Sequence, residues 1–162
     1  MANRVLIVRY EMLKLIEELD APGVERDEPI PWEKIHMVSS ACIGYGLALK
    51  RGMDPEIAST ACTLHDIGRV YTGKQKGHAE AGYEFTKTFL TERGGQLFTE
   101  SEIEEIAVAV SEHSNKGEVG PPLCEIVKDA DVLDMHYYGR KLPRPEQQKR
   151  LDGLLSGGSS TL

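Results

Sequence analysis

The chain has 162 residues, of which 40% are hydrophobic and 28% are charged, and its formal net charge is −7. This composition is typical of one globular domain and excludes disordered and collagen-like classes. The negative charge, together with the lack of a basic stretch that contains interleaved aromatics, argues against a polymeric nucleic-acid partner.

The sequence also argues against membrane insertion and against a disulfide framework. No stretch approaches the roughly 18–20 apolar residues that a spanning helix needs, and charged residues interrupt the apolar N-terminal run. Cys42, Cys62 and Cys124 are odd in number, far apart and set in apolar helical patterns. We therefore expect a cytoplasmic protein with reduced thiols.

Apolar residues recur at helical spacing along most of the chain, whereas strand patterns are almost absent. We predict an all-α fold, a single helical bundle of about six or seven helices. The first helix is predicted over residues 3–19. With the loop that follows, residues 1–29 form the N-terminal part of the domain.

Start and stop signals divide the predicted core of the domain, residues 30–138, into five helices. An Asp cap with Pro at the first helical position begins one of them at Asp54-Pro55-Glu56, and Thr99 to Glu102 forms a capping box for another. The glycine-containing segment 68–77 is predicted to be a loop. The five helices are expected over residues 31–50, 55–65, 78–92, 99–113 and from 122 through 131.

The C-terminal part, residues 139–162, is predicted to hold a short helix and a flexible tail. After Tyr138 the segment GRKLPRP breaks the helical periodicity, and a short helix is expected over residues 146–155. The last ten residues, GLLSGGSSTL, have the composition of a flexible tail.

Asp131 lies on the apolar face of its helix, four residues after Val127 and eight after Leu123. A buried carboxylate is costly unless a charge, hydrogen bonds or a metal compensates it. Asp131 therefore either binds a metal or fills a structural role, such as capping a helix or pairing with an arginine.

Three histidines also face inward on separate helices. His113 follows Val110 by three residues, His78 shares a face with Phe85 and Phe89, and His36 lies on a helix of small and apolar residues. Each one alone is compatible with a core histidine bound to a backbone carbonyl. His136 fits an inward position least well, and we expect it to be structural or at the rim.

The pair His65-Asp66 adds a further constraint. Adjacent helical residues diverge by about 100°, so both reach one ion only where a helix ends. Gly68 is expected to supply that break. Imidazole and carboxylate groups without thiolates form a borderline-to-hard donor set for divalent metals. The six candidate ligands are His36, His65, Asp66, His78, His113 and Asp131.

The order of His36, the HDIG sequence at residues 65–68, and Asp131 in KDADVLD resembles the HD superfamily. The resemblance covers roughly residues 30–135 and implies an all-helical, metal-dependent phosphohydrolase. It assigns the last ligand to Asp131 rather than to Asp129 or Asp134.

The sequences GHAEAGYE around His78 and EHSNKG around His113 resemble insertions that give some members a second metal. Examples are bacterial diadenosine tetraphosphate hydrolases and the HD-GYP cyclic-dinucleotide phosphodiesterases. The chain departs from the second group because it lacks the paired histidines and the Gly-Tyr-Pro triplet, which argues against cyclic di-GMP. It also carries Arg69 where the usual residue after HDIG is Lys.

The resemblance implies one or two divalent metal ions, with Fe, Mn, Co, Ni, Mg and Zn all compatible with the ligands. Asp66 is expected to bridge two ions and, with Arg69, to act in catalysis, while a water of lowered pKa attacks phosphorus. The expected substrate is a small phosphate compound, in particular a nucleotide. A homodimer is also compatible with the sequence. The cations expected to bind phosphate are Arg69, Lys74, Lys76 and Lys116, although solvated loop lysines are an alternative for the last three.

Two other functions remain compatible with these residues. Some HD proteins use a di-iron pair with the same ligand types to oxygenate small polyols or phosphonates. A metal-stabilised HD module that only senses a nucleotide is the non-enzymatic alternative.

Overall fold

The computed structural model describes residues 3–157, and its regular secondary structure in that range is entirely α-helical. The predicted all-α class is confirmed. Eight helices follow one another along the described chain, one more than the expected six or seven. They are α1 (Arg4–Glu18), α2 (Ile30–Arg51), α3 (Pro55–Leu64), α4 (Ile67–Thr72), α5 (His78–Arg93), α6 (Glu100–Glu112), α7 (Pro122–Tyr137) and α8 (Pro145–Gly157).

The additional helix, α4, occupies the first part of the segment that was predicted to be a loop. The chain leaves helical geometry at Asp66 (φ −99°, ψ 13°) and resumes it at once, until Gly73 (φ +72°) ends α4. Gly68 therefore does not break a helix. It allows α4 to lie against the start of α5, because a Cβ at Gly68 would overlap the carbonyl oxygen of His78.

Helix α8 is longer at its C-terminal end than predicted and continues through residues 153–157 of the expected flexible tail. Leu151 and Leu154 pack against Val132 and Leu133 of α7, and this apolar contact stabilises the helix. The rest of the predicted tail, residues 158–162, lies outside the described residues.

Helix α2 lies at the centre of the bundle, where it packs against α3 and α7, while α5 pairs with α6 and α4. The apolar core includes Leu64, Phe89, Ile106 and Ile126, each from a different helix. This arrangement brings the end of α3, the start of α5 and the end of α6 towards the middle of α2 and α7. None of the described helices is both long and apolar enough to cross a membrane.

Candidate metal centre

The six side chains predicted as metal ligands meet in the middle of the bundle. Five of them are buried and Asp131 is partly buried. They are His36 on α2, His65 and Asp66 in the turn between α3 and α4, His78 at the start of α5, His113 directly after α6, and Asp131 on α7.

A first ligand group is formed by His36, His65, Asp131 and one oxygen of Asp66. The Nε2 atoms of His36 and His65 are 3.0 Å apart, and His36 Nε2 is 3.3 Å from Asp131 Oδ1. Asp66 Oδ2 lies 3.3 Å from His36 Nε2 and 3.2 Å from His65 Nε2. The donor atoms of His36, His65 and Asp131 all lie within 4.8 Å of one another, close enough for the three side chains to hold one metal ion.

A second ligand group lies on the other side of Asp66. The Nε2 atoms of His78 and His113 are 3.0 Å apart, and Asp66 Oδ1 lies 3.1 Å from the first and 3.6 Å from the second. Asp66 thus presents one carboxylate oxygen to each group. This is the arrangement required of a carboxylate that bridges two ions.

The outer nitrogen of each histidine orients its ring. A carbonyl oxygen can only accept a hydrogen bond, so Nδ1 carries the proton and Nε2, which is then free to bind a metal, faces the centre. The acceptors are the carbonyl oxygens of Cys62 for His65 (2.7 Å), Gln75 for His78 (2.6 Å) and Val110 for His113 (2.6 Å), and Asp134 Oδ2 for His36 (2.5 Å).

The pKa values of His36 in the first ligand group and His113 in the second are shifted in opposite directions. Burial disfavours protonation of His36, but hydrogen bonds to Asp131, Asp134 and Asp66 outweigh it and raise the pKa of His36. Burial lowers the pKa of His113 to about 4. The same carboxylates attract divalent cations, so the donor set fits the metal ions that the HD resemblance implies.

Arg69 is paired with the Asp66 carboxylate and does not present an unpaired charge to the cavity. Its Nη2 donates to Asp66 Oδ2 at 2.5 Å, and its Nε and Nη2 donate to the two carboxylate oxygens of Glu33, both at 2.9 Å. Its Nη1 donates to Gln75 Oε1 at 2.8 Å. Glu33 is not among the residues predicted from the sequence, although its position one turn before His36 places it on the same helix face.

Lys116 holds Asp131 in the same way. Its buried Nζ donates to Asp131 Oδ2 at 2.6 Å and to the carbonyl oxygen of His113, which leaves Asp131 Oδ1 facing His36. Asp134 was expected to be a less likely ligand, and the structure gives it an outer role as the acceptor for His36 Nδ1. Its position three residues after Asp131 was the available signal.

The centre opens into a cavity of about 690 Å³. Of the four cations predicted to bind phosphate, Arg69 lines this cavity, whereas Lys74, Lys76 and Lys116 do not. Lys74 instead pairs with Glu25 and Asp27 on the surface. The other arginines and lysines that line the cavity are Arg140, Lys141 and Arg144 of the segment GRKLPRP. From the sequence, this segment was predicted only to interrupt the helical periodicity.

Residues 34–136 match the family model of the HD domain. The chain belongs to the HD-domain family. The matched range of this HD domain contains all six candidate ligands, from His36 to Asp131. It also contains the outer acceptor Asp134.

Parts of two larger proteins are similar in sequence to this chain. Ribonuclease Y of Thermobifida fusca (strain YX) is 27% identical over 123 residues, which cover 69% of this chain and 22% of that protein. Ribonuclease Y of Chlorobium luteolum (strain DSM 273 / BCRC 81028 / 2530) is 29% identical over 110 residues, 67% of this chain and 19% of that protein. The chain therefore spans about a fifth of the length of these two relatives.

A relative of similar size and a solved structure extend the comparison. "Putative phosphohydrolase YueE" of Bacillus subtilis (strain 168) is 29% identical over 139 residues, 74% of this chain and 77% of that protein. The crystal structure of a "predicted HD superfamily hydrolase" from an uncultured Thermotogales bacterium shares the fold, with a TM-score of 0.60 and 22% identity. That match covers 93% of this chain and 88% of the other.

Proposed function

We propose that this HD domain is a metal-dependent phosphohydrolase that cleaves a phosphate ester or anhydride of a nucleotide or dinucleotide. The observation that carries the proposal is the position of Asp66 between two ligand groups, beneath a cavity lined by cations. The relative named as a phosphohydrolase and the two named as ribonucleases support chemistry at phosphorus. A cavity of about 690 Å³ and a net charge of −7 favour a small substrate over a polymer.

In this proposal the first ligand group and the second ligand group would each hold one divalent ion, and Asp66 would contribute one carboxylate oxygen to each group. When bound, such ions lower the pKa of a coordinated water and offset charge on phosphate oxygens. Arg69 acts as a positioning residue that fixes the Asp66 carboxylate, and Lys116 does the same for Asp131. These contacts keep the inward-facing oxygens in place while the cavity admits the substrate.

Metal analysis and a substrate screen test the proposal together. Protein purified without added metal is analysed for metal content, and phosphate release is then measured over nucleotides and dinucleotides in the presence of Mn²⁺ or Zn²⁺. His65→Ala and Asp66→Ala should each lose tight metal binding and turnover. His136→Ala is the matched control, because His136 is the exposed histidine outside both ligand groups, and it should retain both properties.

The reaction class is tested by repeating the assay without dioxygen. A hydrolase retains turnover under argon and with redox-inert metals. Turnover that requires iron and dioxygen, with no release of phosphate or nucleotide, would refute hydrolysis in favour of oxygenation of a polyol or phosphonate. Bound metal and bound nucleotide with no turnover under any condition would refute it in favour of a sensing module.

A further inference from the structure

Apart from Arg69, the arginines and lysines that line the cavity come from one short stretch, residues 140–144, which we name the basic segment. Gly139 (φ +65°) ends α7 in a left-handed conformation, and the Arg140 N–H donates to the carbonyl oxygen of Met135 at 2.9 Å. Leu142 packs on the apolar cluster between α7 and α8, and the Arg144 N–H donates to Gln147 Oε1 at 3.1 Å. The basic segment is therefore anchored at both ends and in the middle.

Arg140 is already paired within the protein. Its two terminal nitrogens donate to the carboxylate oxygens of Glu28 at 3.0 and 2.8 Å, and its guanidinium lies over the Trp32 ring at 4.1 Å from the centroid. This pair joins the basic segment to the loop before α2. The Arg140 charge is thus neutralised by Glu28 rather than offered to a ligand.

Lys141 and Arg144 are less completely paired than Arg140. Arg144 Nη1 donates to the carbonyl oxygen of Ser114 at 2.9 Å, which places the guanidinium beside the residue that follows the ligand His113. Arg144 Nη1 also lies 3.5 Å from Glu146 Oε1. Within residues 3–157, neither Arg144 Nη2 nor Lys141 Nζ has a hydrogen-bond acceptor. Lys141 Nζ and Arg144 Nη2 are therefore free donors on two cations that line the cavity, and Glu146 offsets only the Arg144 charge in part.

We infer that Lys141 and Arg144 form an anion subsite that binds a second phosphoryl group of the substrate. The inference rests on the proposed function, in which the metal centre holds the phosphoryl group that is attacked. Free guanidinium and ammonium donors are strong phosphate ligands, and the cavity has room for both groups. The substrate class is accordingly a compound with two linked phosphoryl groups, such as a nucleoside diphosphate, in preference to a simple monoester.

The subsite is tested by equilibrium binding, independently of turnover. Inorganic phosphate and pyrophosphate are titrated into Mn²⁺-loaded protein by calorimetry, and the metal content is measured before and after. Lys141→Gln and the double variant Lys141→Gln/Arg144→Gln are compared with Lys149→Gln, which removes an exposed charge on α8 outside the cavity. Thermal unfolding of each variant verifies that it remains folded.

The unmodified protein should bind pyrophosphate about 10-fold more tightly than phosphate, and Lys141→Gln should remove most of that preference. Its phosphate affinity should change less than about 2-fold, and Lys149→Gln should change neither value. The subsite would be refuted if the unmodified protein bound phosphate and pyrophosphate with equal affinity. It would also be refuted if Lys141→Gln weakened the binding of both anions by the same factor. Lys141-dependent pyrophosphate binding in a protein that hydrolyses no phosphate compound would refute the proposed function and still support the subsite.

Discussion

The contact between His36 and Asp134 offers a test of the metal centre that leaves every ligand in place. Asp134 is buried on α7, and its Oδ2 accepts from His36 Nδ1 at 2.5 Å. Asp134→Asn keeps the side-chain volume but replaces the charged acceptor with a neutral amide. His36 then becomes a weaker ligand, because a carboxylate on the outer nitrogen raises the basicity of the inner one.

The expected magnitude follows from this single contact. Loss of an outer hydrogen-bond partner typically weakens metal binding about 10–100-fold, which corresponds to about 1.4–2.7 kcal/mol. The effect should be confined to the first ligand group. His78 and His113 of the second group donate instead to backbone carbonyl oxygens, which the substitution does not alter.

The matched control is Asp129→Asn, five residues earlier on the same helix. Asp129 is also buried, but its carboxylate pairs with Arg51 at 2.6 Å and Arg150 at 2.7 Å rather than with a metal ligand. Competition with a chromophoric chelator measures the two metal affinities of each variant. Equal weakening of both ions in Asp134→Asn, or the same weakening in Asp129→Asn, would refute the assigned role of Asp134.

Three further predictions follow from other contacts. Gly68→Ala should destabilise the fold by about 1–3 kcal/mol in urea unfolding and lower the metal occupancy of the second ligand group, because the new Cβ overlaps the His78 carbonyl oxygen. A variant with unchanged stability and full metal content would contradict this prediction. The Thr99 N–H and Arg4 lower the pKa of Glu102 below its usual 4.5, so Glu102 stabilises the fold above pH 4.5 and loses this contribution as the pH falls. Glu102→Gln should therefore lower the free energy of unfolding by about 0.5 kcal/mol at pH 7 and by progressively less below pH 4.5. A loss of stability that does not depend on pH would contradict this role of Glu102. Removal of metal by a chelator should lower the melting temperature, because a free metal concentration about 1,000 times the Kd adds about 4 kcal/mol to the free energy of unfolding. An unchanged melting temperature would count against tight metal binding.

Local sequence patterns determined much of the fold and all of the candidate ligands that the structure brings together. Pro55 after the Asp54 cap and the capping box at Thr99 predicted the starts of α3 and α6, which the structure confirms. Helical periodicity predicted that His113 and Asp131 face inward. These properties depend on residues within one or two turns of each other, so they can be inferred without knowledge of how the helices pack.

The partners of the charged residues depended on the tertiary structure. Arg69 and Lys116 both carry the charge that phosphate binding requires, but packing places Glu33 beside Arg69 and Asp131 beside Lys116. Which cation is paired depends on contacts between helices that are far apart in sequence: 36 residues separate Glu33 from Arg69. The same holds for the basic segment, whose approach to the cavity follows from the packing of α8 on α7 and has no local sequence signal.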